Sequence, residues 1–205
     1  MGIAISAGHW KATNSGANGY INEVTEARRV VDRVVKILKD GGVTVSKVED
    51  NASSNQNSNL GYLVREHNKK NRDVDVSVHF NASGGLREEG IGTEVLYFSN
   101  KGAGMAEALT KSISNAGGFK NRGKKYRDNL SFLRNTNKPA ILLEICFVNS
   151  REDVMLYKKN FENIPPQVSD EVVLNKKAYE IAESSMKALL ENNYNLHGIK
   201  YYRDN

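Results

Sequence analysis

The chain has 205 residues, a length that suits one domain with a tail and an ordinary buried core. One cysteine, Cys146, excludes a disulfide framework and a multi-cysteine zinc site, and no apolar run reaches the ~18 residues of a membrane span. With 29 Lys and Arg against 24 Asp and Glu, the net charge of +5 is mild, forms no basic block, and reads as a solvated surface rather than a nucleic-acid site.

Ile3 to Ala7 is a short apolar run stopped by Gly8, which predicts a buried first strand. The same end of the chain has no basic flank, so no secretory signal is expected there, and the strand outweighs a loose myristoylation pattern. His9 to Tyr20, rich in Gly, Asn and Ser, is a loop. Val24, Ala27, Val31, Val34, Val35 and Leu38 follow helical spacing, with Asn22 as N-cap and Gly41-Gly42 as the stop. A second strand begins at Val43.

Residues 50–59 form a polar loop, and a polar helix runs over 60–70, holding a solvated His67. Val74, Val76, Val78 and Phe80 alternate with Asp75, Ser77 and His79, the pattern of a strand with one polar face. Residues 81–85 break it. A strand over 92–98 and a helix over 104–116 follow.

Lys120 to Arg127 reads as a basic solvated loop, able to contact an acidic substrate if it borders a site. Leu130 to Leu133 has the look of a short strand. Pro139 precedes the apolar strand 140–148, and helices over 151–160 and 170–192 close the domain. Residues 193–205 are a tail. Strands alternating with amphipathic helices imply an α/β sheet covered on both faces, with ligands outside the carboxyl ends of the strands.

Chemistry can be placed on that frame. Glu144 interrupts a run of apolar neighbours, where an unpaired carboxylate costs several kcal/mol. It is paired with a buried Arg, emerges at the strand's end, or is kept for work as a general base. His9 lies just past the first strand and His79 at the end of the third, both able to ligate a metal. A third ligand would come from Glu23 or Glu26 at the start of the first helix, and spacing does not choose between them. Cys146, between Ile145 and Phe147, is a core residue. There is no phosphate-binding P-loop.

Several segments occur in one order. They are Ser6-Ala7-Gly8-His9, Asn22-Glu23-Val24, Ser77-Val78-His79-Phe80-Asn81-Ala82, Asn121-Arg122-Gly123 and Pro139 to Phe147 with Asn149. Together with Leu130 to Leu133, which lies between the last two, they resemble the zinc-dependent N-acetylmuramoyl-L-alanine amidases often called amidase type 3, over about residues 3–190. The resemblance implies a three-layer α/β/α sandwich on a mixed, mostly parallel sheet of about six strands. It implies one zinc held by His9, Glu23 and His79, with Glu144 as the catalytic carboxylate, and so selects Glu23 over Glu26.

The expected catalytic domain covers 1–192, and the expected substrate is peptidoglycan. The expected state is a monomer made in the cytoplasm that reaches the wall on release. The short segment 81–90 leaves no room for a long covering insertion, which implies an open site. Trp10-Lys11-Ala12-Thr13, where many relatives continue with glycines and an acid, is similar to lytic enzymes of phages and prophages of Gram-positive hosts. The rival expectations are a zinc peptidase of the stem peptide and an inactive wall-binding domain.

Overall fold

The computed structural model describes residues 2–12 and 14–161. In chain order the elements are β1 (Gly2–Ala7), α1 (Glu23–Asp40), β2 (Thr44–Val48), α2 (Gln56–Asn68), β3 (Val74–Asn81) and β4 (Thr93–Tyr97). Then come α3 (Asn100–Gly117), β5 (Asn121–Tyr126), α4 (Ser131–Asn135), β6 (Ala140–Phe147) and α5 (Arg151–Phe161). The expected helix over 170–192 and the tail lie outside the described residues.

The strands form one sheet in the order β2-β1-β3-β6-β4-β5. All neighbours are parallel except β4 and β6. Helices cover both faces, as parallel sheets require. The larger core joins α1, α3 and α5 to Ile3, Ile5, Val74, Val76, Val78 and Phe80. The smaller joins Leu63 of α2 and Phe132 and Leu133 of α4 to Leu96, Ala140 and Leu142.

The helix signals at α1 hold. The Asn22 side chain accepts the Thr25 N–H at 3.0 Å, and the chain leaves the helix at Gly41 and Gly42, the latter with φ +77°. Two other helices begin earlier than their periodicity shows. Asn55 caps α2 by accepting the Ser58 N–H at 2.9 Å, and Ser99 caps α3 by accepting the Gly102 N–H at 3.1 Å. Their first turns are polar or glycine-rich, so only the cap marks them.

Three expectations are corrected. Residues 130–133 are not a strand: Ser131–Asn135 is the short helix α4, whose Phe132 and Leu133 pack against α2 and the sheet. The basic stretch is not a loop but the edge strand β5, hydrogen-bonded on one side only, which explains its weak apolar signal. His67 is fully buried rather than solvated. Its Nδ1 lies 2.8 Å from Asp75 Oδ1, and Phe132 packs edge-on against its ring.

The polar face of β3 is therefore covered too. Asp75 is satisfied by His67 and by two bonds from Arg72, at 2.9 and 2.8 Å. Those partners hold its carboxyl below the usual aspartate range against the opposing effect of burial.

Candidate active site

Parallel packing brings the carboxyl ends of β1, β3 and β6 to one edge of the sheet. His9 follows β1, His79 ends β3, and the register places Glu144 of β6 directly beside His79. Helix α1 begins over the same edge and delivers Glu23 from its first residue.

The His9 backbone has φ +64°, alone among the described non-glycine residues. A side chain in the left-handed region is strained, and such strain clusters at functional sites. Gly8 allows the turn to come close: a Cβ there would lie 2.0 Å from His79 Cε1.

His9, Glu23 and His79 offer one ligand atom each, all within 4.8 Å of one another. Glu23 Oε2 lies 3.1 Å from His9 Nε2 and accepts the Ala17 N–H at 2.7 Å. Its Oε1 lies 3.0 Å from His79 Nδ1 and accepts the Phe80 N–H at 3.1 Å. Burial works to raise the Glu23 pKa, but the hydrogen bonds and charges of His79 and His9 hold it far below the usual carboxylate range. The other ring nitrogen of His79, Nε2, is 3.0 Å from Ser77 Oγ. That contact orients the ring and leaves Nδ1 facing Glu23, as outer partners of metal-ligating histidines do.

The donor set fits zinc. Two imidazoles and one carboxylate are a catalytic zinc set, with the fourth position left for water or substrate. Glu23 is kept ionised, and both rings are one-fifth exposed. Glu26, the competing acid, points elsewhere: it accepts from the Tyr157 hydroxyl at 2.8 Å and pairs with Arg29 at 2.9 Å.

Glu144 is not paired with a buried Arg. Its Oε2 is buried and has no hydrogen-bond partner among the described residues. Burial, followed by the charges of Glu23 and Glu94, pushes its carboxyl well above the usual value. Cys146 is fully buried, and burial likewise raises its thiol, so it is an inert core residue.

Sequence reasoning assigned no role to three residues here, two of which, Ser77 and Arg122, it had named only as parts of longer segments. Ser77 gave no signal of its own. Glu94 is the antiparallel register partner of Glu144, and it is 6% exposed. Like Glu144 it is an acid in an apolar strand, and the same argument could have found it. Arg122, hidden in the basic stretch, donates from Nε to Glu94 Oε2 at 2.8 Å.

The loop after β3 borders the site. The Asn149 amide donates to the carbonyls of Ser83, Gly84 and Gly85 at 2.9, 3.2 and 2.6 Å. The resulting loop is short and tied down, consistent with an uncovered site.

Comparison with known proteins places the chain in a family. A family model described as N-acetylmuramoyl-L-alanine amidase matches residues 3–164. An uncharacterized Clostridium perfringens protein is 31% identical over 183 residues, covering 88% of this chain and 53% of that one. The endolysin of Bacillus phage SPP1 is 32% identical over 172 residues, covering 77% of this chain and 59% of that one. The chain thus spans little more than half the length of these relatives.

Among solved structures, the catalytic domain of an endolysin targeting Clostridium difficile superposes with a TM-score of 0.75 at 26% identity. The match covers 93% of this chain and 97% of that one. The catalytic domain of CwlV, an N-acetylmuramoyl-L-alanine amidase from Bacillus (Paenibacillus) polymyxa, gives 0.70 at 26% identity, covering 93% and 98%. By sequence and by fold, this chain belongs to the N-acetylmuramoyl-L-alanine amidase family.

Proposed function

We propose that this chain hydrolyses the amide bond between the lactyl group of N-acetylmuramic acid and L-alanine in peptidoglycan, as a zinc enzyme with one metal per chain. The observation that carries the proposal is the cluster of His9, Glu23 and His79 beside Glu144, whose buried Oε2 has no partner among the described residues. In this reading residues 1–192 form a monomeric catalytic unit that acts on the cell wall, and 193–205 are a tail.

His9, Glu23 and His79 would hold the zinc. In a three-ligand site zinc supplies Lewis-acid polarisation of a carbonyl and a more acidic water. Glu144 accepts the proton of the attacking water as its oxygen adds to the scissile carbonyl carbon. When the carbon–nitrogen bond breaks, Glu144 returns that proton to the departing L-alanine nitrogen. The raised affinity of Glu144 for a proton favours the first half of this transfer, its acceptance from water. Ser77 keeps the His79 ring in place throughout.

The test is the bond cut. Digested peptidoglycan should show new amino groups on L-alanine, by N-terminal labelling and mass spectrometry, and no new reducing sugar ends. A glycosidase would need two carboxylates flanking the sugar bond. Label on D-alanine, glycine or the diamino acid, with muramic acid still joined to L-alanine, would make the protein a zinc peptidase instead.

A further inference from the structure

We propose that Arg122 anchors a free carboxylate of the stem peptide, on the residue next to the L-alanine, and so selects carboxylated over amidated stems. The inference rests on the amidase reading above, and deepens it by naming the group that the substrate must carry.

The backbone is built to present Arg122. Strands β4 and β5 pair Thr93 with Asn121 and then Val95 with Lys124. Two residues, Arg122 and Gly123, thus stand opposite the single residue Glu94. Such bulges are rare in parallel pairs and re-aim side chains near active sites. The local cause is visible: Asn121 Oδ1 accepts the Gly123 N–H at 2.8 Å, and Gly123 has φ +78°. The kink turns the Arg122 side chain toward Glu94.

The guanidinium is then fixed on one edge and one face. Its Nε donates to Glu94 Oε2 at 2.8 Å, and its central carbon lies 5.1 Å from the centroid of the buried Phe147 ring. Glu94 is itself held by Asn81, whose Nδ2 donates to Oε1 at 3.1 Å. An arginine present only to neutralise Glu94 would turn its two-pronged end on the carboxylate. Arg122 instead spends a single Nε bond on it. Both terminal nitrogens lack a protein partner among the described residues, and the side chain is 34% exposed. A rigid, half-exposed guanidinium with two free nitrogens is built for a planar carboxylate.

The position fits a peptide running away from Glu144. Glu144 pairs with Glu94, and Glu94 faces the bulge that bears Arg122, so Arg122 stands about two strand spacings, roughly 10 Å, from Glu144. An extended peptide advances ~3.5 Å per residue, so a carboxylate on the next stem residue falls within reach of an arginine side chain. Arg122 is the cation that faces Glu94 at this point of the sheet, so it also offsets the repulsion that the Glu94 carboxylate would exert on a substrate carboxylate.

The experiment uses muramoyl tetrapeptides that differ only at the α-carboxyl of the second stem residue, free in one and amidated in the other. Their Kd values are measured by calorimetry on zinc-loaded Glu144→Gln protein, which binds without cutting. Cleavage by the wild-type chain is followed in parallel. The free carboxylate should bind at least about tenfold tighter, as a charge-assisted pair implies. In Arg122→Lys and Arg122→Gln, made in the same background, the ratio should fall to near one. In the cleaving enzyme the loss should fall mainly on KM.

Equal affinity for both peptides, or an unchanged ratio in both variants, would overturn the proposal. Thermal unfolding checks that each variant is folded. If Arg122→Gln is not, Arg122→Lys decides, because it keeps a cation for Glu94 but lacks the fork. If the wild-type chain cuts neither peptide at L-alanine, the amidase reading itself fails, and this proposal falls with it.

Discussion

Glu23 and Glu144 are two acids at one end of the sheet that their surroundings push in opposite directions. Glu23 sits between His9 and His79 and accepts two backbone N–H groups, so it stays ionised. Glu144 has a buried oxygen with no partner and two acidic neighbours, so it holds a proton more tightly than an ordinary glutamate. Carboxylates driven apart in this way take different tasks, one a fixed anion and the other a proton carrier.

Glu144→Gln should therefore keep zinc binding and lose about 10²–10⁴-fold in rate, the range for general acid–base groups. Zinc titration and muropeptide release check the two halves. Normal cleavage by this variant would remove Glu144 from the mechanism.

The same shift has a stability consequence. A carboxyl whose folded pKa is raised contributes its stability below the unfolded value, near 4.5, and loses it as pH rises through the folded value. Metal-free Glu144→Gln should thus gain Tm over the wild type, by more at pH 7 than at pH 4. A Tm difference that does not grow with pH would contradict the burial of this charge.

His9→Ala, Glu23→Ala and His79→Ala should each weaken zinc binding, because each removes one of three donor atoms within 4.8 Å. Excess zinc should raise the Tm of the wild-type chain by mass action and leave that of His79→Ala almost unmoved. Elemental analysis should give about one zinc per chain, as a single three-ligand site requires. Full activity in metal-free protein would exclude the zinc reading.

Gly8→Ala places a methyl group 2.0 Å from the His79 ring, so the ring or the β1 turn must move. The expected loss is about 1–3 kcal/mol of stability, typical of overpacking. Zinc affinity should fall with it. Urea unfolding and zinc competition test the two effects, and an unperturbed variant would mean that this turn has slack.

At the other end of β3, Asp75→Asn should destabilise by about 3 kcal/mol, the lower range for breaking a buried ion pair, because it strands the Arg72 charge. Asp75 has a depressed pKa, so its contribution is present above its unfolded value, near 3.8, and fades as pH falls through the folded one. Unfolding at pH 7 and pH 3 should show the variant's deficit shrinking at the lower pH.

Much of this protein is determined by local sequence. The apolar runs and helical spacings set five of the six strands and four of the five described helices, because removing apolar faces from water is the main force that drives folding. The order of segments from Ser6 to Asn149 marks the family, whose model matches residues 3–164. Glu144 announces itself because a carboxylate in an apolar strand needs a reason.

What tertiary structure decided is contact at long range. Nothing in the spacing of Glu23 and Glu26 chooses between them; the helix axis does, turning Glu23 to the histidines and Glu26 to Tyr157. His67 looks solvated on a polar helix until α4 covers it, and β5 looks like a loop because an edge strand has one neighbour and little to bury. The pairing of Glu94 with Glu144 and of Arg122 with Glu94 follows from which strands lie side by side, and from a bulge that turns one side chain. Periodicity reports how much surface an element hides, while the identity of what hides it is set only when distant strands meet.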